Sequence, residues 1–312
     1  MNRRHLLRSA GLAAAALALR APLAACSREA MPGDRQPDNP DQERLARWSE
    51  SLHAERLVPP DAQLGRAAAR VGELAAGTPY EAHTLEAYLR GGGAPAAAEP
   101  LTLSLTRFDC VTLVEACLAV ARASAGGAAA SWQAFGLEVE RMRYRGGQRR
   151  GYASRLHYFS EWIEDGERRG LVVDLGRGLG GVEDGRSLRF MTSHRDSYPA
   201  LADGAVFGEI QRIERGLDGR ARYVVPKARI PEVADRIETG DVLAFATEIP
   251  GLDVTHAAFA YRDATERLRV LHAPLSGGVV EITTKTLPEY VAAIRRSTGI
   301  LVARPMWAPL SA

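Results

Sequence analysis

The chain has 312 residues, 46% of them apolar and 25% charged, enough for a substantial hydrophobic core and unlike a disordered tail or a fibre. Its formal net charge of +2 comes from 40 basic and 38 acidic side chains. Four of those bases (Arg3, Arg4, Arg8 and Arg20) lie in the first 25 residues, which hold no acid, so the remainder sets 36 bases against 38 acids. That balance excludes a general nucleic-acid binder, which needs a strong positive excess.

Residues 1–26 read as a leader. Basic residues come first, then an apolar run from Ala10 to Leu19, then Leu23-Ala24-Ala25-Cys26. A run of about ten residues is too short to span a bilayer and the right size for a signal peptide. Leu-Ala-Ala-Cys resembles a bacterial lipobox, which implies lipidation at Cys26. Arg3-Arg4 also resembles a twin-arginine export signal. Ser27, rather than Asp, after the cysteine favours the outer membrane. The expectation is an exported lipoprotein on the periplasmic side, anchored to the membrane by lipid. A polar, proline-containing tether over 27–40 then leads to one catalytic domain over 41–312.

Helical spacing recurs over 41–57 and 61–76. Leu101–Leu105 alternates apolar and polar, as a half-buried strand does. Asp109 reads as the N-cap of a helix over 110–122, with Leu113, Val114, Cys117, Leu118 and Ala121 on one stripe. Ser154–Glu164 reads as a further helix. Strands are expected at Val242–Ala246, Val254–Tyr261, Arg267–His272 and Gly278–Ile282. A glycine-rich span, Gly176–Gly185, reads as a loop, either over a cleft or passive.

Three side chains carry the chemistry. Cys110 falls in the first turn of its helix, where free N–H groups and the helix dipole favour a thiolate. Cys117, one and a half turns later, reads as core. The two Cα atoms would be about 10 Å apart, too far for a disulfide. His256 and His272 flank position 264 symmetrically, so a hairpin centred there sets them directly opposite. A nucleophile, a base and an orienter of the base is the generic arrangement for acyl transfer. Glu115 reads as a structural acceptor. No zinc-type ligand spacing occurs, and neither metal nor cofactor is expected.

Several segments together resemble a family. Phe108-Asp-Cys-Val-Thr-Leu-Val-Glu115 resembles the nucleophile segment of NlpC-type papain-fold amidases. Thr255-His-Ala-Ala-Phe259 resembles their base strand, and His272-Ala273 their third catalytic residue. Gly77-Thr-Pro-Tyr80 resembles the stretch that supplies an active-site tyrosine. Gly151–Tyr158, Phe190–His194 with Tyr198, Gly240-Asp241 and Gly251–His256 narrow the likeness to the N-acetylmuramoyl-L-alanine amidase-like branch. Val111-Thr112 stand where the wider superfamily has Ser-Gly, which sets the chain apart from the endopeptidase subfamilies.

The resemblance implies an α+β fold with a nucleophile helix on a small antiparallel sheet, plus extra N-terminal helices. It implies hydrolysis of peptidoglycan fragments at the amide between N-acetylmuramic acid and L-alanine. Cys110, His256 and His272 would be catalytic. Tyr80, Asp109, Arg155, His157 and His194 would serve the oxyanion or the substrate. A stem-peptide endopeptidase, a papain-like acyltransferase and a non-catalytic envelope-binding lipoprotein remain open.

Overall fold

Asn39 caps the first helix by accepting the Asp41 N–H, and Pro40 supplies the fixed φ that suits a first helical residue. The computed structural model describes residues 39–307 except 59–60, 97–98, 127–129 and 276–277. The expected leader, Cys26 and the tether up to residue 38 lie outside the described residues.

Ten α-helices are described: α1 (Pro40–Ala54), α2 (Leu64–Leu74), α3 (Ala87–Arg90), α4 (Cys110–Ser124), α5 (Trp132–Arg143), α6 (Phe159–Arg168), α7 (Phe190–Ser193), α8 (Gly204–Gly216), α9 (Ile230–Val233) and α10 (Leu287–Ala293). Eight strands accompany them: β1 (Val172–Asp174), β2 (Val182–Asp184), β3 (Arg222–Pro226), β4 (Val242–Thr247), β5 (Val254–Arg262), β6 (Leu268–His272), β7 (Glu281–Ile282) and β8 (Ser297–Pro305). The strands form one antiparallel sheet in the order β2-β3-β8-β4-β5-β6-β7, with β1 also paired to β8. The α+β expectation therefore holds, on a sheet larger than the small one foreseen.

Period-two alternation sends successive side chains to opposite faces. Val242, Ala244, Ala246, Ala257, Phe259, Leu301 and Ala303 join one core, beneath α1, α2, α4, α5 and α6. Leu243, Phe245, Ala258, Ala260, Ile300 and Val302 join a second core under α9 and α10. A third cluster joins Tyr152 and Tyr158 to α7 and α8 through Met191, Val206 and Ile210. Every residue of α4 from Thr112 to Arg122 is buried, polar ones included. Such a helix is apolar in its surroundings all round, and its charges need partners. Glu115 has one in Arg143, whose Nε donates to Glu115 Oε2 at 2.7 Å. That fits the structural role read for Glu115. Cys117 is 0% exposed, a core residue as expected.

The close fit of α2 to the sheet depends on Gly65, which touches Gly240 at the start of β4. A Cβ on Gly240 would lie 1.9 Å from the Gly65 oxygen, and Gly240 has φ +90° besides. That explains Gly240-Asp241 as a strand opening. Only glycine fits the approach, and buried Asp241 then pairs with Arg304 on β8 at 2.8 Å.

Three expected elements differ. Leu101–Leu105 is not a strand. Its backbone is satisfied by side chains: Leu105 N–H donates to Asp41 Oδ1 (2.7 Å), while Arg143 and Arg44 donate to the Thr102 and Leu105 oxygens. The helix expected from Ser154 begins at Phe159 instead. Leu156 N–H is held by the Arg143 oxygen at 2.9 Å, which keeps 155–158 extended. Of the strand expected at Gly278–Ile282, only Glu281 and Ile282 join the ladder. Val280 pairs with the 77–78 backbone. The glycine-rich span wraps the β2–β3 edge, its Leu179 buried in the second core, four strands from β5. It is a packed edge, not a cover over the site.

Candidate active site

The site begins at the first turn of α4. Asp109 Oδ1 accepts the N–H groups of Val111 (3.0 Å) and Thr112 (2.7 Å), and Asp109 N–H donates back to Thr112 Oγ1 (2.8 Å). This is a closed capping box, and it accounts for threonine at 112. The Cys110 N–H has no backbone acceptor among the described residues and faces its own thiol instead. The Cys110 side chain is half-buried and faces the Ala257 N–H of β5.

His256 sits in β5 where the register to β4 changes. Ala244 faces Ala257 but Ala246 faces Val254, so β5 carries one extra residue there. A bulge of this kind re-aims the side chain at its position. The His256 ring stacks on Phe245 at 5.6 Å, and its Nε2 lies 2.8 Å from His272 Nδ1. The hydroxyl of Tyr290 in α10 lies 3.3 Å from the same His272 nitrogen.

The two histidines are neighbours but not directly opposed. Phe259 faces Leu271 and Ala260 faces Val270, so the hairpin centres on 265 rather than 264. The cause is Glu266 at φ +61°, an extra left-handed residue in a three-residue turn closed by Asp263 N–H to the Arg267 oxygen. The resulting offset is two residues. It preserves the face of each side chain, and the diagonal pair still meets.

Burial governs the protonation states. It pushes His272 down to about 4. Burial, with the nearby His272 charge, pushes His256 down to about 3. Burial first, then the Asp109 carboxylate, pushes the Cys110 thiol up to about 12. The N–H groups of Ala257, Cys110 and Val111 pull it down, without winning. Burial thus works against the thiolate expected from the helix start. All three shifts favour the uncharged forms, a thiol and two neutral imidazoles.

One prediction follows from the Asp109 charge. Asp109→Asn keeps a capping side chain and removes the repulsion that raises the thiol. The thiolate fraction at any given pH should rise. Iodoacetamide should therefore alkylate Cys110 faster at pH 8 than in the wild type, with rates in both proteins still climbing above pH 9. A wild-type rate flat from pH 4 to 8 would instead reveal a resting ion pair.

Tyr80 is brought to the site. Its N–H donates to the Gly278 oxygen (2.8 Å), it bridges Phe108, and the Cys110 and Asp109 charges raise its hydroxyl beyond what burial alone does. Asp109 spends Oδ1 on the cap, a positioning task. Arg155 is 5% exposed and spent on Glu86 (2.5 Å) and Glu99 (3.9 Å), so it is not free to bind a substrate carboxylate as expected. His157 Nε2 is held by the Tyr152 oxygen at 2.9 Å, and burial lowers it well below its ordinary value. His194 is exposed and stacks on Phe190. None of the hydrogen bonds or ring contacts of these three reaches Cys110, His256 or His272 among the described residues. Tyr290 escaped the sequence reading. Its signal was the Thr286-x-x-Glu289 capping box that opens α10.

A half-buried cysteine at a helix start, facing a strand that carries a histidine bonded to a second histidine, defines a class: an α+β protein with the parts of a thiol acyl-transfer site. The comparisons make the assignment narrower. A family model described as AmiA-like, N-acetylmuramoyl-L-alanine amidase-like, matches residues 70–300, and the chain belongs to that family. It is similar to two crystal structures of an N-acetylmuramoyl-L-alanine amidase from Bacteroides uniformis. One is 33% identical with a TM-score of 0.71, covering 78% of this chain and 99% of the other. The second is 32% identical with a TM-score of 0.70 over the same shares, 78% and 99%. A Legionella pneumophila protein of the family DUF1460 shares the fold at 17% identity and TM-score 0.62, covering 85% of this chain and 94% of that one. No curated protein matches the chain.

Proposed function

We propose that this chain is a cysteine amidase on a papain-like, NlpC-type scaffold that hydrolyses peptidoglycan fragments between N-acetylmuramic acid and L-alanine. The observation that carries the reading is Cys110 at the start of α4, against β5, with His256 Nε2 engaged by His272 Nδ1 at 2.8 Å. Membership of the amidase-like family supplies the substrate class.

The tautomers follow from that contact. With Nε2 committed to His272, His256 has only Nδ1 left for the thiol. His256 Nδ1 takes the Cys110 proton as the sulfur attacks the lactyl carbonyl. The oxyanion is met by the Cys110 N–H, with the Tyr80 hydroxyl beside it. Collapse breaks the C–N bond, and Nδ1 returns its proton to the departing alanine nitrogen. Water, deprotonated by Nδ1, then releases the thioester. The neutral resting pair needs no ion pair before substrate arrives; charge appears only during attack. We place the enzyme outside the cytoplasm, lipid-anchored through Cys26 on the periplasmic side of the outer membrane.

The test uses the chain from residue 27 onward beside its Cys110→Ala variant, incubated with defined muropeptides and analysed by mass spectrometry. Free sugar and a peptide with an L-alanine N-terminus, absent with the variant, are expected. Cleavage inside the stem would make it an endopeptidase. Transfer to an added amine without hydrolysis would make it an acyltransferase.

A further inference from the structure

His272 has one nitrogen whose partner is still to be found. Its Nδ1 is taken by His256 Nε2 (2.8 Å), and for His256 to present a lone pair at Nδ1 its Nε2 must carry the proton and donate it. His272 Nδ1 is then the acceptor, so the His272 proton sits on Nε2. That atom is buried without a hydrogen-bond partner, in a side chain 1% exposed. An unsatisfied buried N–H is costly and calls for an explanation. Glu281 Oε1 lies 3.6 Å away. Glu281 is the direct partner of His272 in the β6–β7 ladder, so their side chains stand on one face of the sheet.

We infer that Glu281 is a positioning residue: its carboxylate, 3.6 Å from His272 Nε2, is the group that accepts the hydrogen bond of that N–H in the working site, which holds both histidines in the tautomers that leave His256 Nδ1 free. Three groups face the His272 ring: His256 from β5, Glu281 from β7 and Tyr290 from α10. Among the described residues only Glu281 faces Nε2, with its Oε1 3.6 Å away, and of the three it alone is a carboxylate. The Tyr290 hydroxyl approaches the nitrogen that His256 already uses, and its own proton is held tightly, raised to about 12 by burial and by Glu281. When His256 takes up the thiol proton, positive charge spreads along the pair, and the carboxylate stabilises it from the far end. Catalytic histidines elsewhere are oriented by carboxylates through the same geometry.

The inference rests on the amidase reading for its kinetic arm and not for its spectroscopic one. Protein labelled with 15N-histidine reports the His272 tautomer directly. Wild type should show Nε2 protonated and Nδ1 not. Glu281→Ala should mix the tautomers and lower kcat about 10-fold with KM nearly unchanged. Glu281→Gln keeps an acceptor and should restore the tautomer and most of kcat. A wild-type His272 protonated at Nδ1, a tautomer indifferent to Glu281→Ala, or a Gln variant no better than Ala would overturn it. If wild type cleaves no muropeptide while the tautomer responds as expected, the positioning role stands and the amidase reading falls.

Discussion

Replacement of His256 by alanine should slow muropeptide cleavage by about 10⁴-fold or more at pH 7. The reason lies in the thiol rather than the imidazole. Cys110 is pushed up to about 12, so almost none of it ionises unaided at neutral pH. On the proposed mechanism a thiolate must be made during each turnover, and His256, next to the Ala257 whose N–H faces the thiol, is the base proposed for it. His272→Ala should cost less, about 10²–10³-fold, because it removes the orienter and leaves the base. The double variant should be hardly slower than His256→Ala alone, since the two act as one unit. Steady-state kcat/KM on a defined muropeptide, with circular dichroism to verify folding, checks all three. A loss below 10-fold for His256→Ala would exclude it as the base.

The second large effect concerns stability. Arg143→Ala should destabilise the fold by about 3–5 kcal/mol, because it strands Glu115 inside α4. Glu115 is 2% exposed, and burial raises its carboxyl above the ordinary value despite Arg143 beside it. Arg143 also donates from Nη1 to the Thr102 oxygen at 2.7 Å, so the extended 101–105 segment loses a support. The sign of the pH dependence follows. Without Arg143 the folded carboxyl titrates still higher than the unfolded one, so the folded state binds more protons. Stability then falls as pH rises, and the deficit against wild type should be larger at pH 7 than at pH 5. Urea midpoints at the two pH values measure it. Glu115→Leu combined with Arg143→Met removes both charges and should recover most of the loss. Equal deficits at both pH values would mean that the arginine acts only through Thr102.

The nucleophile helix was legible because its start obeys local rules: an Asp N-cap, a threonine three residues on, and an apolar stripe. The strands β4, β5 and β6 were legible for the same reason. The histidine pair was found through a symmetry that the structure places one residue off. It survived because the left-handed Glu266 and the shift it causes preserve the face of each side chain. No local pattern announces a left-handed glutamate or the bulge at His256. The alternation at 101–105 misled because strand partners were assumed where Asp41, Arg44 and Arg143 side chains satisfy the backbone instead. Arg155 misled in another way. A motif arginine looks free in sequence, and only packing shows Glu86 and Glu99 already holding it.

The position of β8 has a temporal consequence. This strand follows every other in sequence, yet β4 lies on one side of it and β1 and β3 on the other. The two halves of the sheet have no common seam until residues 297–305 are in place. A chain emerging from a ribosome, amino end first, must hold β1 to β7 without their central member until residues 297–305 arrive. Residues 297–305 join the halves, so β5 and β6, with the histidines they carry, are tied to β1 and β3 only once β8 is placed. Chains lacking residues 297–305 should therefore hold the two halves of the sheet unjoined, and placement of β8 should complete it.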